Sequence, residues 1–273
     1  MPEPADSPLI TPRELSNALA AADPPVVLDL RSDYAEGHIP TAVAVNLRAQ
    51  LSGPGGPHDG RTPLPAPDAL QEAMRDWGVC TGRLVVAYDD ASGLSAGRAW
   101  WVLRWAGHAP VRVLDGGLSA WLAAGGELTT EVVVPDRGDI TVRPGSVRVS
   151  AADDVAALPA TGALVDAREP DRYRGESDPL DPVAGHIPGA ISLPTSANLG
   201  PDGRFLPAEQ LRERFAAAGL VGREPIVVYC GSGVSAAHEL IALQTAGLDA
   251  VLYPPSWSGW TSDPNRPVAT GQE

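Results

Sequence analysis

Lysine is absent from this sequence of 273 residues, and all twenty basic residues are arginine. Schiff-base chemistry and P-loop phosphate binding both depend on a lysine amine, so the chain has neither. Acidic residues outnumber basic ones and give a formal net charge of -14. That charge disfavours nucleic acid and anionic membrane surfaces as partners, although a local pocket can still bind a small anion.

Cysteine and long apolar runs are also scarce. The two cysteines, Cys80 and Cys230, are far apart and provide neither a disulfide framework nor a metal cluster. We expect a reducing, cytoplasmic location for such a chain. The first fifteen residues lack the basic flank and apolar core of a signal peptide. No apolar run approaches the ~18 residues of a membrane span.

The most informative stretch is 225–243, where an apolar run, a loop of small residues and a helical pattern follow one another. The run from Ile226 to Tyr229 is apolar on both faces, which is typical of a parallel strand buried between helix layers. It ends at Cys230. Because ligands bind at the carboxyl edge of such sheets, Cys230 is predicted to lie where a ligand would bind.

The loop after Cys230 is predicted to favour an anion. Gly231 and Gly233 permit backbone conformations that turn several N–H groups toward one point, and the following helix adds the positive end of its dipole. The anion would be the Cys230 thiolate or a sulfur-bearing substrate beside it. Most free cysteines are inert, which is our interpretation of Cys80, but the strand-loop-helix setting of Cys230 favours a reactive thiol.

The chain contains two copies of one pattern, offset by about 140 residues. Residues 26–31 match 163–168, and the motif GHIP occurs at 37–40 and again at 185–188. Each copy alternates apolar strands with helical segments, which indicates an α/β fold with a mainly parallel sheet. Two long copies indicate duplicated domains, because a solenoid would need more and shorter units.

We place the first domain at 1–128, a linker interrupted by proline and glycine at 129–147, and the second domain at 148–273. The first domain also contains a long irregular segment, 51–67. Segments of this length in compact domains are usually functional or disordered.

The two copies differ at one decisive position. The first copy has Asp89 where the second has Cys230. A carboxylate cannot replace a thiolate nucleophile, so we expect chemistry only in the second copy and a structural role for the first.

Together these residues resemble the tandem-domain rhodaneses, a family of sulfurtransferases, over nearly the whole chain. The resemblance rests on the repeated GHIP motif, on LDGGLSAW at 114–121, on SWSGW at 256–260 and on the cysteine loop. It implies two rhodanese-like domains without a metal or cofactor. It further implies that Cys230 takes sulfur from a small anionic donor, holds it as a persulfide and passes it to cyanide or a thiol.

The loop CGSGVSA, residues 230–236, is similar to that of the 3-mercaptopyruvate sulfurtransferases. Thiosulfate enzymes of the family carry arginine and lysine there, which suit a dianion. The resemblance makes Ser232 the candidate that assists proton movement. The substrate-binding residues that it implies in the loop are Gly231, Gly233, Val234 and Ser235.

The same resemblance implies that two arginines hold the carboxylate of the substrate. Arg172 matches the first, and its planar fork suits a carboxylate. The second would lie in the Pro-rich stretch before the second GHIP, but residues 179–184 contain no arginine. Arg174 lies nearby, yet two residues along an extended segment it is expected to face the other way.

Two other cysteine-dependent functions do not fit these residues. A phosphatase of the Cys-x5-Arg type needs arginine six residues after the nucleophile, where this chain has Ala236. A thiol-disulfide oxidoreductase needs a nearby second cysteine, and Gly233 occupies that place. Two alternatives stay open: a thiosulfate:cyanide sulfurtransferase, and a sulfur carrier or binding module without turnover.

Several other polar residues are predicted to be structural. His38 and His186 occupy the same position of GHIP in both copies, which favours a role in holding the turn. Asp29 and Asp166 end equivalent strands and are expected to accept a hydrogen bond from a loop N–H. His238, more than two helical turns from the cysteine loop, is predicted to be solvated.

Overall fold

A computed structural model describes residues 7–90, 92–158 and 160–272. The described residues form two compact units. The first comprises Met1–Gly53, Pro65–Val147 and Pro201–Arg204, and the second comprises Pro54–Leu64, Arg148–Gly200 and Phe205–Glu273. The segment Pro54–Leu64 therefore belongs to the second unit, although it lies within the first sequence copy.

The first unit is an α/β structure built on five parallel strands. Its strands are β1 (Leu9–Ile10), β2 (Val26–Asp29), β3 (Val43–Ala44), β4 (Val85–Tyr88) and β5 (Val111–Leu114). Its helices are α1 (Pro12–Leu19), α2 (Leu47–Gln50), α3 (Pro67–Asp76), α4 (Leu94–Trp105) and α5 (Gly117–Ala123). The strand order is β1-β5-β4-β2-β3, and β2 and β4 are buried at every position, as their continuous apolar runs predict.

The second unit has four parallel strands in the order β7-β6-β8-β9. Its strands are β6 (Ala163–Asp166), β7 (Ala190–Ser192), β8 (Ile226–Tyr229) and β9 (Val251–Leu252). Its helices are α6 (Ala152–Ala156), α7 (Pro170–Arg174), α8 (Ala208–Ala217), α9 (Ser235–Thr245) and α10 (Ser256–Trp260). In register, β8 pairs Val227 with Leu164 of β6 and with Val251 of β9, so it is an interior strand.

Each unit contains the same buried ion pair, which follows β2 in the first unit and β6 in the second. Arg31 Nη2 donates to Asp29 Oδ2 at 2.7 Å, and Arg168 Nη2 donates to Asp166 Oδ2 at 2.6 Å. The N–H groups of the same arginines donate to the same aspartates at 2.9 and 3.0 Å. The predicted bond from a loop N–H to each strand-ending aspartate is thereby confirmed.

The histidines of the two GHIP motifs also behave alike. His38 stacks on Tyr34 with ring centroids 3.8 Å apart, and His186 stacks on Tyr173 at 3.7 Å. Nδ1 of each ring lies within hydrogen-bond distance of the tyrosine carbonyl, at 3.0 and 2.8 Å. Both histidines therefore hold their turns, as predicted.

The prediction for His238 is wrong. The residue is fully buried in α9, where its ring stacks on Phe205 with centroids 4.5 Å apart and its Nδ1 lies 2.7 Å from Thr195 Oγ1. The physical reason is that α9 is buried at eight successive positions from Ala236 to Leu243, so it has no solvated face there.

The segment 129–147 has no helix and, apart from an isolated bridge between Thr129 and His38, no strand. It is nevertheless tied to α3 of the first unit. The N–H of Gly138 donates to the carbonyl of Arg75 at 2.8 Å, and Arg75 Nε donates to the carbonyl of Ile140 at 2.9 Å. Among the described residues, no helix has the length and hydropathy that a bilayer crossing requires.

Candidate active site

Cys230 lies at the carboxyl end of β8, directly after the strand that β6 and β9 flank. The residue is 2% exposed. The N–H of Gly233 donates to Cys230 Sγ across 3.1 Å. The sulfur therefore lies in a turn that directs a backbone donor toward it, an arrangement that stabilises negative charge on sulfur.

Helix α10 fixes the cysteine loop from a second side. The N–H of Cys230 donates to Ser256 Oγ at 3.2 Å. The N–H groups of Trp257 and Ser258 donate to the carbonyls of Cys230 and Gly231 at 2.9 and 3.0 Å. Ser256 has a φ of 55°, a left-handed conformation that costs a residue with a side chain about 1 kcal/mol or more. These contacts hold the backbone around the sulfur in one conformation.

The other predicted loop residues form the bend between β8 and α9. Gly233 has a φ of 81°, which only glycine adopts readily, and Ser235 begins α9. Ser232, Val234 and Ser235 are partly exposed, whereas Gly231 and Gly233 are buried. The structure thus brings all of these residues together in the turn that follows the thiol.

Arg172 reaches the same loop from α7. Its Nη2 donates to Asp178 Oδ1 and Asp181 Oδ2, both at 3.0 Å. A Cβ atom at Gly231 would lie 3.1 Å from this Nη2, so the guanidinium rests against the loop. The expectation of an extended segment here is wrong, because Arg172 and Arg174 both lie on the helix α7. Arg174 donates to the exposed Glu176 instead of contacting the loop residue Gly231.

A second arginine at the loop was missed in the sequence. Arg61, in the segment Pro54–Leu64, has its Nη2 3.0 Å from the Cβ position of Gly231. Its Nη1 donates to Asp181 and, at 3.3 Å, to the carbonyl of Leu180. The only signal available was that the long irregular segment 51–67 contains a single arginine. This segment has no helical or strand periodicity from which its packing near the cysteine could be predicted.

Buried carboxylates hold the arginines of this site in place. Asp178 contacts both Arg168 and Arg172, and its side chain is 1% exposed. Burial lowers the pKa of the Arg168 guanidinium, but the hydrogen bonds and charge of Asp166 outweigh that effect and raise the pKa above its ordinary value. The site is therefore a network of charge-assisted hydrogen bonds with permanently charged guanidinium groups.

The corresponding loop of the first unit holds a carboxylate instead of a thiol. Asp89 Oδ1 accepts from the N–H of Gly93 at 2.8 Å, and Oδ2 accepts from the N–H groups of Ser95 and Ala96 at 2.8 and 3.0 Å. The side chain of Asp89 thus accepts the hydrogen bonds of the backbone N–H groups at the start of α4. Within the described ranges, no group of three or more His, Cys, Asp or Glu is placed to hold a metal ion.

The sequence profile of the rhodanese-like domain matches this chain twice, at residues 11–124 and 151–263. A Pseudomonas aeruginosa protein provisionally named 3-mercaptopyruvate sulfurtransferase is 46% identical over 287 residues, which cover 96% of this chain and 98% of that protein. A Mycobacterium tuberculosis protein provisionally named thiosulfate sulfurtransferase SseB is 43% identical over 275 residues, covering 96% and 97% of the two chains.

The fold has a counterpart among solved structures. The crystal structure of SseA from Escherichia coli, presented as a 3-mercaptopyruvate sulfotransferase with the rhodanese fold, superposes with a TM-score of 0.81 at 31% identity. The match covers 92% of this chain and 99% of that one.

Proposed function

Since this chain belongs to the tandem-domain rhodanese family of sulfurtransferases, we propose that it transfers sulfur from 3-mercaptopyruvate to a thiol or cyanide through a persulfide on Cys230. The family is established by two matched domains and by relatives that span nearly the whole chain. The names of the relatives divide between 3-mercaptopyruvate and thiosulfate as donor. The choice of donor therefore depends on the site itself.

In the first half-reaction, the Cys230 thiolate attacks the sulfur of 3-mercaptopyruvate. The new S–S bond forms as the C–S bond breaks, and its electron pair stays on carbon as the enolate of pyruvate. A proton then converts the enolate to pyruvate, and we assign Ser232 to assist that transfer. The N–H of Gly233, 3.1 Å from Sγ, is placed to stabilise charge on sulfur during attack.

In the second half-reaction, the acceptor removes the outer sulfur. A thiolate or cyanide attacks that sulfur, the S–S bond breaks, and its electron pair returns to Cys230 as the thiolate. Two half-reactions through one covalent intermediate predict ping-pong kinetics. We assign this chemistry to the domain at 148–273 and a non-catalytic role to the domain at 1–128, which has Asp89 at the corresponding position.

One observation carries the choice of donor: the guanidinium of Arg172 rests on Gly231, the residue directly after Cys230. The loop itself contributes Gly231, Ser232, Gly233, Val234 and Ser235, and none of these is charged. A dianion such as thiosulfate would find no positive side chain within the loop itself, and Asp178 and Asp181 balance the charges of the arginines that rest on it. A donor with sulfur at one end and a carboxylate at the other can reach both the thiol and Arg172.

The test is a comparison of kcat/KM for 3-mercaptopyruvate and thiosulfate with the same acceptor. We expect 3-mercaptopyruvate to be preferred, and mass spectrometry to find one added sulfur atom on Cys230 after treatment with donor alone. Cys230→Ser should abolish both turnover and sulfur addition. A clear preference for thiosulfate would show that the assigned donor is wrong, but it would leave the persulfide mechanism intact.

Measuring turnover also distinguishes a sulfurtransferase from a protein that only carries or binds sulfur. A sulfur carrier or binding module would take up sulfur but show equal, negligible cyanide turnover in wild type and Cys230→Ser. We further propose a reducing location such as the cytoplasm, which suits a chain whose two cysteines are free.

A further inference from the structure

The segment Pro54–Leu64 is anchored on α10 and on residues that directly flank this helix, by contacts of both its backbone and its side chains. The N–H of Arg61 donates to Ser258 Oγ at 3.0 Å, and Nδ1 of His58 lies 2.8 Å from Ser262 Oγ. Gly60, with a φ of 76°, passes so close to α10 that a Cβ atom would collide with the carbonyl oxygen of Pro255. This segment therefore has a defined position against the helix that also fixes the cysteine loop.

The anchored segment places the Arg61 guanidinium beside that of Arg172. A Cβ atom at Gly231 would meet Nη2 of Arg61 at 3.0 Å and Nη2 and Nη1 of Arg172 at 3.1 and 3.3 Å. Two like charges converge on one glycine next to the nucleophile. The Arg61 side chain is 35% exposed, so a small molecule in solution can reach it.

Asp181 is the residue that makes this convergence stable. It accepts hydrogen bonds from both guanidinium groups, through Oδ1 from Arg61 and through Oδ2 from Arg172, and its side chain is only 2% exposed. The Pro-rich stretch, which lacks the expected second arginine, thus provides an acid that holds an arginine from elsewhere in the chain. A planar guanidinium has five N–H donors, so both groups can bind Asp181 and a further carboxylate together.

We propose that Arg61 is a donor-binding residue that, together with Arg172, holds the carboxylate of the sulfur donor over Gly231. This assignment rests on the proposed function and deepens it. The donor class is a short 2-oxo acid that bears sulfur on its third carbon, because its carboxylate meets the arginine pair while its sulfur meets Cys230. Because Asp178 and Asp181 balance the charges of Arg61 and Arg172, the arginine pair would recognise a monoanion by hydrogen-bonding geometry instead of by excess charge.

A substrate that lacks the carboxylate provides the sharpest test. Mercaptoacetone differs from 3-mercaptopyruvate only in a methyl group where the carboxylate stands. We expect Arg61→Ala to lower kcat/KM for 3-mercaptopyruvate by about tenfold or more, the usual effect of losing a hydrogen bond to a charged group. The same substitution should leave kcat/KM for mercaptoacetone nearly unchanged, because that donor has no carboxylate for Arg61 to bind.

Arg174→Ala is the matched control, since it removes an arginine of the same unit that pairs with Glu176. It should leave both donors unaffected. If Arg61→Ala lowers kcat/KM equally for both donors, Arg61 only holds the fold. If kcat/KM changes for neither donor, Arg61 is not at the site. Each result would overturn the assignment. If Arg61→Ala does not fold, Arg61→Gln and Arg61→Lys provide the same comparison. Failure of wild type to gain sulfur on Cys230 from 3-mercaptopyruvate would instead refute the proposed function.

Discussion

The missing side chain of Gly231 determines how closely two arginines can approach the thiol. If this residue carried a Cβ atom, its contacts with the two guanidinium groups would be 3.0 to 3.3 Å, so each group would have to move by a few tenths of an ångström. The neighbours that would have to move are the ends of flexible side chains, so the fold can accommodate the change. The function proposed for those side chains is more sensitive, because it depends on where their guanidinium groups lie.

Gly231→Ala should therefore affect catalysis more than stability. We expect kcat/KM for 3-mercaptopyruvate to fall by about tenfold, with a loss in free energy of unfolding below about 1 kcal/mol. Steady-state kinetics and urea denaturation measure the two effects. In the Arg61→Ala background, Gly231→Ala should lower kcat/KM by a smaller factor, because one of the two guanidinium groups that it displaces is already absent. If the losses of the two substitutions are strictly additive, this explanation is wrong.

Glu239 is a buried acid that the proposed mechanism does not use. It lies in α9, fully buried, and accepts a hydrogen bond from Asn198 Nδ2 at 2.6 Å. Burial raises the pKa of Glu239 from 4.5 to about 7, and its hydrogen bonds with Thr195 and Asn198 and the charge of Arg214 offset only part of that effect. The folded protein therefore binds this proton over a pH range in which the unfolded chain releases it.

Stability should consequently fall as pH rises through this range. The contribution of Glu239 is most favourable below pH 4.5, where both states are protonated, and is lost as pH passes through about 7. The shift corresponds to about 3 kcal/mol. Glu239→Gln keeps an acceptor for Asn198 and should remove this part of the pH dependence. Urea unfolding of both proteins at pH 5 and pH 8 measures it, and parallel profiles would contradict the prediction.

At the level of residues, the sequence indicated the position of the thiol better than its surroundings. Cys230 and its loop were predictable because a buried strand, glycines and a helix follow one another along the chain. Arg61 was not, because it reaches Gly231 only through the tertiary packing of an irregular segment. The burial of His238 was predictable from its own helix, in which Ala237, Leu240 and Ile241 leave no polar face.

Two loops of equal length connect a central strand to the next helix, one in each unit. The first runs from Tyr88 to Leu94 and the second from Tyr229 to Ser235. The first loop satisfies the N–H groups at the start of α4 with Asp89, whereas the second directs Gly233 N–H at a sulfur. The duplicated element thus presents its backbone N–H groups to a carboxylate in one unit and to a thiol in the other.

Asp89→Ala should destabilise the first unit by about 3 kcal/mol, because three backbone donors, two of them buried or nearly so, would lose a charged acceptor. Sulfur addition to Cys230 should persist in whatever fraction remains folded. Denaturant unfolding checks the first expectation and mass spectrometry the second. The neighbouring exposed Asp90 provides the control: Asp90→Ala should change stability by no more than about 0.5 kcal/mol. Equal effects of the two substitutions would refute the role of Asp89.

The order and type of the elements were largely predictable, since the repeat and the buried strands are visible in the pattern of apolar residues. At the start of α1, Thr11 and Glu14 bond to each other's backbone, which is the reciprocal capping that a Thr-x-x-Glu pattern favours. The assignment of Pro54–Leu64 to the second unit was not predictable, because glycine- and proline-rich segments have no periodicity that identifies the surface they will contact.

At the scale of the whole molecule, the absence of lysine makes chemical modification selective. Every permanent positive charge among the side chains is a guanidinium, so an amine-directed reagent can reach only the amino terminus. We expect acetylation with an N-hydroxysuccinimide ester, followed by hydroxylamine to reverse any thioester on Cys230, to leave activity intact.

Phenylglyoxal, which modifies arginine, should inactivate the enzyme. Because Arg61 and Arg172 are proposed to bind the donor carboxylate, pyruvate should slow that inactivation, whereas acetone at the same concentration should not. The rate of activity loss measures protection. Equal protection by both compounds would argue against a carboxylate site at the arginine pair.

The segment Pro54–Leu64 has a consequence for how this duplicated protein can change over time. Each half of the coding sequence contributes a stretch to the opposite unit, Pro54–Leu64 in one direction and Pro201–Arg204 in the other. A gene fission or recombination event at the midpoint would leave the half with the thiol short of one of its two guanidinium groups. Neither half of the chain alone therefore contains every segment of its own unit.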